Sequence, residues 1–355
     1  MMHAATWPRE HPLEERLLHI DPKAGTIRDA KVGDLPAMIR PGDLVIVNDA
    51  ATLPGSLFGR TASGDPIELR LLARQGAPSR WKAVLFGAGD WRTKTEDRPA
   101  PPRLEAGDTL ILGRSDLRLE GWRDPRSDPH VEARIEAIDP ASPRLVTLRT
   151  DATLHDLYRI GRPVQYAYLE RDLALWDVQT AYAARPWAAE MPSAGRPLTW
   201  GLLLELRRRG AKLASLTHAA GLSSTGDPEL DARLPLAERY DIPAETAAAI
   251  QAARRSGQRI VAIGTTVVRA LEGAASAHDG RVPPGEGETN LRIGPGFEPR
   301  IVDGLLTGVH DPAASHFALL AAFAPRELLA RAYEHAERGG YLGHEFGDSS
   351  LILPA

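Results

Sequence analysis

The sequence predicts an α/β fold, in which a barrel-like α/β domain carries an inserted antiparallel β-barrel. Three observations predict it. Two short β-branched runs, at 44–47 and 260–263, are apolar throughout, which suits strands covered on both faces of a sheet. The second run leads through Gly264 into a helical pattern, as a βα unit does. Between the two runs, 57–149 breaks into short alternating segments, and that spacing argues an antiparallel barrel or sandwich of six or seven strands. Because α/β patterns stand on both sides of this block, it reads as an insertion. Residues 1–56 and 150–355 would form one discontinuous α/β domain, and 57–149 the inserted barrel.

Composition narrows the function classes. At 355 residues with 43% apolar side chains, the chain can bury a sizeable core. It has no cysteine, which removes disulfides, thiolate nucleophiles and cysteine-ligated zinc and fits a reducing, cytoplasmic setting. The first residues, M-M-H-A-A-T-W-P-R-E-H-P, lack the apolar centre of a signal peptide. The longest apolar helical run, 317–324, is far short of the roughly 20 residues that cross a bilayer, so no membrane partner is expected. A net charge of −4 gives no global attraction to nucleic acid.

In chain order, 1–40 reads as an irregular lead-in with one strand at 17–20. The P-G-D turn at 41–43 opens the strand at 44–47, and Asn48 and Asp49 end it as either a turn or a ligand site. Within the barrel block, one strand is expected at 117–122, and the Pro-rich, charged stretch 93–102 reads as a mobile loop. Gly87-Ala88-Gly89 has neither a third glycine nor a following helix and is no nucleotide fingerprint. Thr199 is placed to cap a helix that stops at Gly210, and a strand follows at 212–217. A long polar loop spans 219–234, a helix 243–256, and a flexible loop 278–288. Strands are expected at 289–293, 301–306 and 351–353, with helices at 314–323 and 325–338. In the turn at 264–266, Gly264 breaks the strand while Thr265 and Thr266 stand where a helix is capped. It is either an ordinary capped turn or a place where free N–H groups and hydroxyls bind a polar ligand.

Taken together, several stretches resemble one family. They are P-G-D-L-V-I-V-N-D at 41–49, V-Q-T-A-Y-A at 178–183, P-S-A-G at 192–195, Glu238 with Tyr240, and A-I-G-T-T-V-V-R-A-L-E at 262–272. I-G-P-G-F at 293–297, V-D-G-L-L-T at 302–307, His310 with Pro312, and F-G-D at 346–348 complete the set. In this order they resemble the S-adenosylmethionine:tRNA ribosyltransferase-isomerases of queuosine biosynthesis. The resemblance implies an α/β domain with an inserted β-barrel, S-adenosylmethionine as a substrate, and tRNA as the acceptor. The chain departs from the family pattern at Ala50, Ala51, Pro197, Gly308 and Gly343. Those departures leave open a paralogue with a small acceptor or one that merely cleaves the donor, or a non-catalytic binding protein.

The family reaction moves the ribosyl part of S-adenosylmethionine to an amine on a deazaguanine base and releases adenine and methionine. The sulfonium acidifies the neighbouring ribose carbon, so a positioned base is needed and a metal is not. His310, which keeps its family position, is the first acid–base candidate, against a purely structural histidine. Glu238 and Asp303 are further catalytic candidates, each weighed against a solvated loop or turn carboxylate. For substrate binding the candidates are Asn48, Asp49, Ser193, Gly195, Gly264, Thr265, Thr266, Arg269 and Asp348. The alternative for Arg269 is a surface ion pair. His310, Asp311 and His316 match no standard metal-ligand spacing, so no metal is expected. The arginines at 207–209 and 254–255 complement helix dipoles.

Overall fold

The computed structural model describes residues 2–77, 79–113, 130–310 and 315–354. The strand expected at 117–122, Asp311, Pro312 and the side chain of His316 lie outside these described residues. The chain begins with β1 (Arg16–Asp21), β2 (Thr26–Lys31), α1 (Leu35–Met38), β3 (Leu44–Asn48) and β4 (Ala50–Thr52). Next come β5 (Ser56–Thr61), β6 (Pro66–Arg74), β7 (Arg80–Phe86), β8 (Thr109–Gly113), β9 (His130–Asp139) and β10 (Ser142–Arg149). The return to helices and strands brings α2 (Leu154–Ile160), β11 (Arg185–Ala188), α3 (Trp200–Arg208), β12 (Lys212–His218), α4 (Pro228–Asp231) and β13 (Glu238–Ile242). The chain then forms α5 (Ala244–Arg255), β14 (Ile260–Ile263), α6 (Thr265–Ala277), β15 (Gly285–Thr289) and β16 (Gly304–Gly308). It ends with α7 (Ser315–Leu320), α8 (Arg326–Arg338) and β17 (Ser349–Ile352).

Strands β5 to β10 close into an antiparallel barrel in the order β10-β7-β6-β5-β8-β9. Nine other strands form a sheet in the order β15-β13-β12-β3-β14-β16-β17-β1-β2, open at both ends. The expected mixed α/β fold with an antiparallel barrel is therefore what the chain adopts. In the sheet, β12, β3, β14 and β16 are parallel, while β13 and β17 run against them and β1 runs with β17. One edge therefore collects the carboxyl ends of six strands, β15 and β2 included, and the amino ends of β13, β17 and β1. Residues far apart in sequence, from Glu15 to Asp348, meet there, as polar ligands do at the carboxyl edge of open α/β sheets.

Alternation along the central strands explains why they carry no polar face. Leu44, Ile46, Ile260, Ala262 and Leu305 enter one core, closed by α5, α6 and α8. Val45, Val47, Val261, Ile263 and Leu306 enter a second, closed by α1 and α3. Each buried valine, leucine or isoleucine among them is worth about 2 kcal/mol of transfer free energy. Thr199 caps α3 as expected, its hydroxyl accepting the Leu202 N–H at 3.2 Å.

Several expectations need correction. The lead-in contains a second strand, β2, whose polar sequence sits mostly exposed at the sheet edge. The strand expected at 289–293 forms earlier, as β15, inside the stretch read as a flexible loop. β15 pairs with β13, and the absent side chain of Gly287 leaves room for the Tyr240 ring. The strand expected from 301 starts at Gly304. The stretch 93–102 is anchored rather than mobile, because Arg98 is buried against Glu68 and donates to the carbonyls of Gly87 and Gly89 at 3.2 and 2.9 Å.

Candidate active site

The site is built around the turn joining β14 to α6. Gly264 has φ +95°, a left-handed conformation that favours glycine, and it is the residue preceding the helix. No side chain caps this helix, so the expectation of a threonine cap is corrected: Thr265 and Thr266 are its first two residues. The first N–H groups of α6 are thus not used by a capping side chain. The Ser193–Gly195 turn lies against it, with the Ala194 Cβ 3.5 Å from where a Cβ on Gly264 would stand. Gly195 in turn is required by the Tyr182 hydroxyl, into which any Cβ would run.

Asn48 and Asp49 hold this edge together. Asn48 Nδ2 donates to the His218 carbonyl at 3.0 Å and to Thr266 Oγ1 at 3.2 Å, while its Oδ1 accepts the N–H groups of Ala50 and His218. Asp49 accepts from Thr217 Oγ1 at 2.6 Å and from Ser215 Oγ at 3.2 Å. Their hydrogen bonds fix the loop.

Beside the turn sits a buried charge group that the sequence disguised. Arg269 and Glu238, each 8% exposed, form a salt bridge, so neither is the solvated charge considered above. Arg269 Nε donates to the Leu291 carbonyl at 3.3 Å, and Glu238 Oε1 accepts the Gly221 N–H at 2.8 Å. Burial pushes the Glu238 carboxyl up, with Arg269 and the Gly221 N–H offsetting part of that shift. His218 is fully buried, with Nε2 3.3 Å from Glu238 Oε2 but outside hydrogen-bonding geometry. Burial, and then the Arg269 charge, bring its pKa down to about 3, so the ring is neutral at physiological pH. Glu272, one turn further along α6, is also buried and accepts the N–H groups of Arg300, Ile301 and Val302.

His310 stands just beyond β16, half-buried, its Nε2 2.7 Å from Thr307 Oγ1 and its N–H donating to the Tyr333 hydroxyl at 3.4 Å. Asp348 reaches the same edge, buried and bound to Arg9 at 2.6 Å and to the N–H groups of Arg16 and Leu342. Asp303 does not join them. It precedes β16 at the opposite edge, where its carboxylate accepts the Ile260 N–H at 2.8 Å. The structure thus holds Asp303 apart from the other candidates.

Sequence reasoning missed a second group of side chains near the Glu238–Arg269 pair. Glu190 accepts the Tyr166 hydroxyl and the Ser223 N–H at 3.0 Å, and Tyr168 donates to Glu345 at 3.2 Å. Burial and the Glu190 charge raise the Glu345 carboxyl to about 8. The one available signal was an acid, Glu190, inside the apolar run A-A-E-M. Among the described residues no three His, Asp or Glu side chains come together to hold a metal ion.

The sequence pattern of the queuosine biosynthesis protein family matches residues 2–352. The chain belongs to that family. It is 36% identical over 327 residues to the S-adenosylmethionine:tRNA ribosyltransferase-isomerase of Thermus thermophilus, covering 91% of this chain and 88% of the relative. The Moorella thermoacetica protein of the same name is 34% identical, with 98% and 96% covered. That of Sorangium cellulosum is 37% identical, with 98% and 94% covered. Among solved structures, S-adenosylmethionine tRNA ribosyltransferase from Thermotoga maritima aligns over 99% of this chain and 96% of its own, with a TM-score of 0.51 and 24% identity. That likeness bears on the fold. No helix among the described residues is long and apolar enough to cross a membrane.

Proposed function

We propose that the protein is a cytoplasmic S-adenosylmethionine:tRNA ribosyltransferase-isomerase, which transfers and isomerises the ribosyl part of S-adenosylmethionine onto a 7-deazaguanine base in tRNA. The observation that carries this reading is the Gly264–Thr266 turn, uncapped and flanked by the 193–195 turn and the Glu238–Arg269 pair, in a chain of this family. The shared name of the relatives supports the tRNA reaction over a small acceptor or a non-catalytic role. The first N–H groups of α6, with the Thr265 and Thr266 hydroxyls, receive the donor's carboxylate, favoured there by the helix dipole. Glu238, fixed by Arg269, offers its carboxylate to donor hydroxyls. His310 takes the proton from the ribose carbon beside the sulfonium, with Thr307 orienting its ring.

The test is incubation with S-adenosylmethionine in the presence and absence of tRNA carrying the aminomethyl-deazaguanine base. Adenine release that requires this tRNA is the expected result. Adenine release without tRNA would favour the small-acceptor or donor-cleaving reading.

A further inference from the structure

Glu190 is a carboxylate near the Glu238–Arg269 pair that the reaction as described leaves unused. It sits between β11 and the 193–195 turn and reaches across to the loop after β12. Three donors hold it there: the Tyr166 hydroxyl, the Ser223 N–H at 3.0 Å and the Ser223 Oγ at 3.2 Å. Among the described residues no lysine, arginine or histidine forms an ion pair with either Glu190 or Glu345. The nearby Arg70 is committed to Glu68 at 2.7 Å, although its Nη1 is buried without a hydrogen-bond partner and its guanidinium lies 5.6 Å from the Tyr166 ring. Arg196 is the other cation near these carboxylates, its charge acting on Glu345, and the His344 ring packs on Tyr168 at 4.4 Å; the remaining groups are acidic or aromatic. Glu238 and Glu345 are both close enough for the Glu190 charge to raise them. Tyr166 and Tyr168 stack at 6.2 Å with 10° between their planes. Recessed carboxylates beside aromatic faces are costly to ionise together and favourable once a cation stands among them.

We infer that Glu190, braced by Tyr166 and Ser223, binds a positively charged group of the substrates and is a specificity-determining residue of the reaction. This assignment rests on the ribosyl-transfer reading above. Two substrate groups share the required chemistry: the sulfonium or α-ammonium of the donor, and the aminomethyl ammonium of the acceptor base.

The experiment compares wild type with Glu190→Gln and Glu190→Asp, after melting curves establish that each is folded. Calorimetry gives the Kd for S-adenosylmethionine and for its neutral thioether analogue S-adenosylhomocysteine, and steady-state assays give the KM for tRNA carrying the aminomethyl base. Glu190→Gln should weaken donor or acceptor by tenfold or more, with Glu190→Asp less affected because the charge remains. Loss confined to S-adenosylmethionine identifies the sulfonium, and equal loss for both nucleosides identifies the α-ammonium. Unchanged donor binding with a raised tRNA KM identifies the acceptor amine. If Glu190→Gln does not fold, Tyr166→Phe removes one brace and should shift the same constants at least threefold. Constants within twofold of wild type, or equal losses for the Gln and Asp variants, would overturn the assignment. An active wild type with such a result would leave the ribosyl-transfer reading intact, and the donor-binding arm can be read even if the wild type is inactive.

Discussion

His310 and Glu15 show how single side chains at the sheet edge acquire distinct roles from their surroundings. His310 is half-buried with its ring against the Thr307 hydroxyl, whereas His218 is sealed and neutral. His310→Gln should therefore lower tRNA-dependent adenine release by about 10²–10⁴-fold, the scale of one positioned acid–base group. Melting should be unchanged, and a wild-type rate would remove His310 from the chemistry. Glu15 is buried, with the Ser349 hydroxyl donating to it at 2.7 Å, and burial raises its carboxyl from 4.5 to about 7. Between those values the folded chain holds a proton that the unfolded chain releases. Its contribution to stability is therefore fully present below about pH 4.5 and lost as pH rises through 7. Urea unfolding from pH 5 to 8 should show wild type losing stability relative to Glu15→Gln. A difference independent of pH would mean that Glu15 is already ionised when folded.

At the scale of elements, α6 carries the site because charges inside its sequence are turned inward. Glu272 accepts three backbone N–H groups from the segment before β16, and Glu272→Ala leaves two of them, those of Ile301 and Val302, buried without an acceptor. Each such group costs roughly 1–3 kcal/mol, and a loss of about 2 kcal/mol or more is expected in urea unfolding. A loss below about 1 kcal/mol would contradict the seal, given the same per-group cost. The same inward turn explains what was legible in the sequence. β3 and β14 could be read because strands covered on both faces are apolar throughout. β2 and β15 could not, because edge strands with sequences such as G-E-G-E-T carry no such pattern. Arg269 and Glu238 looked like surface charges because their burial depends on a partner 31 residues away.

For the molecule as a whole, motif order made the family legible and the alternating segments the barrel, while the cluster of buried acids was not. Its members come from both sides of the barrel: Glu15 before it, Tyr166 and Glu190 after it, and Glu345 near the chain's end. Contacts between distant segments, Ser349 to Glu15, Tyr166 to Glu190 and Tyr168 to Glu345, hold them in place. The barrel is clasped to the segment around α4 by ion pairs and hydrogen bonds such as Arg233 to Asp139 at 2.9 Å and Ser142 to Asp227. In the proposed function the ribosyl part of the donor, rather than its methyl group, moves to tRNA. S-adenosylmethionine isotopically labelled either in the ribose or in the methyl group distinguishes the two when the aminomethyl-deazaguanine tRNA is weighed by mass spectrometry. Ribose label is expected in the tRNA, with adenine and methionine released and the methyl label retained in methionine. Methyl label in the tRNA, or no added mass with a folded, donor-binding protein, would contradict it.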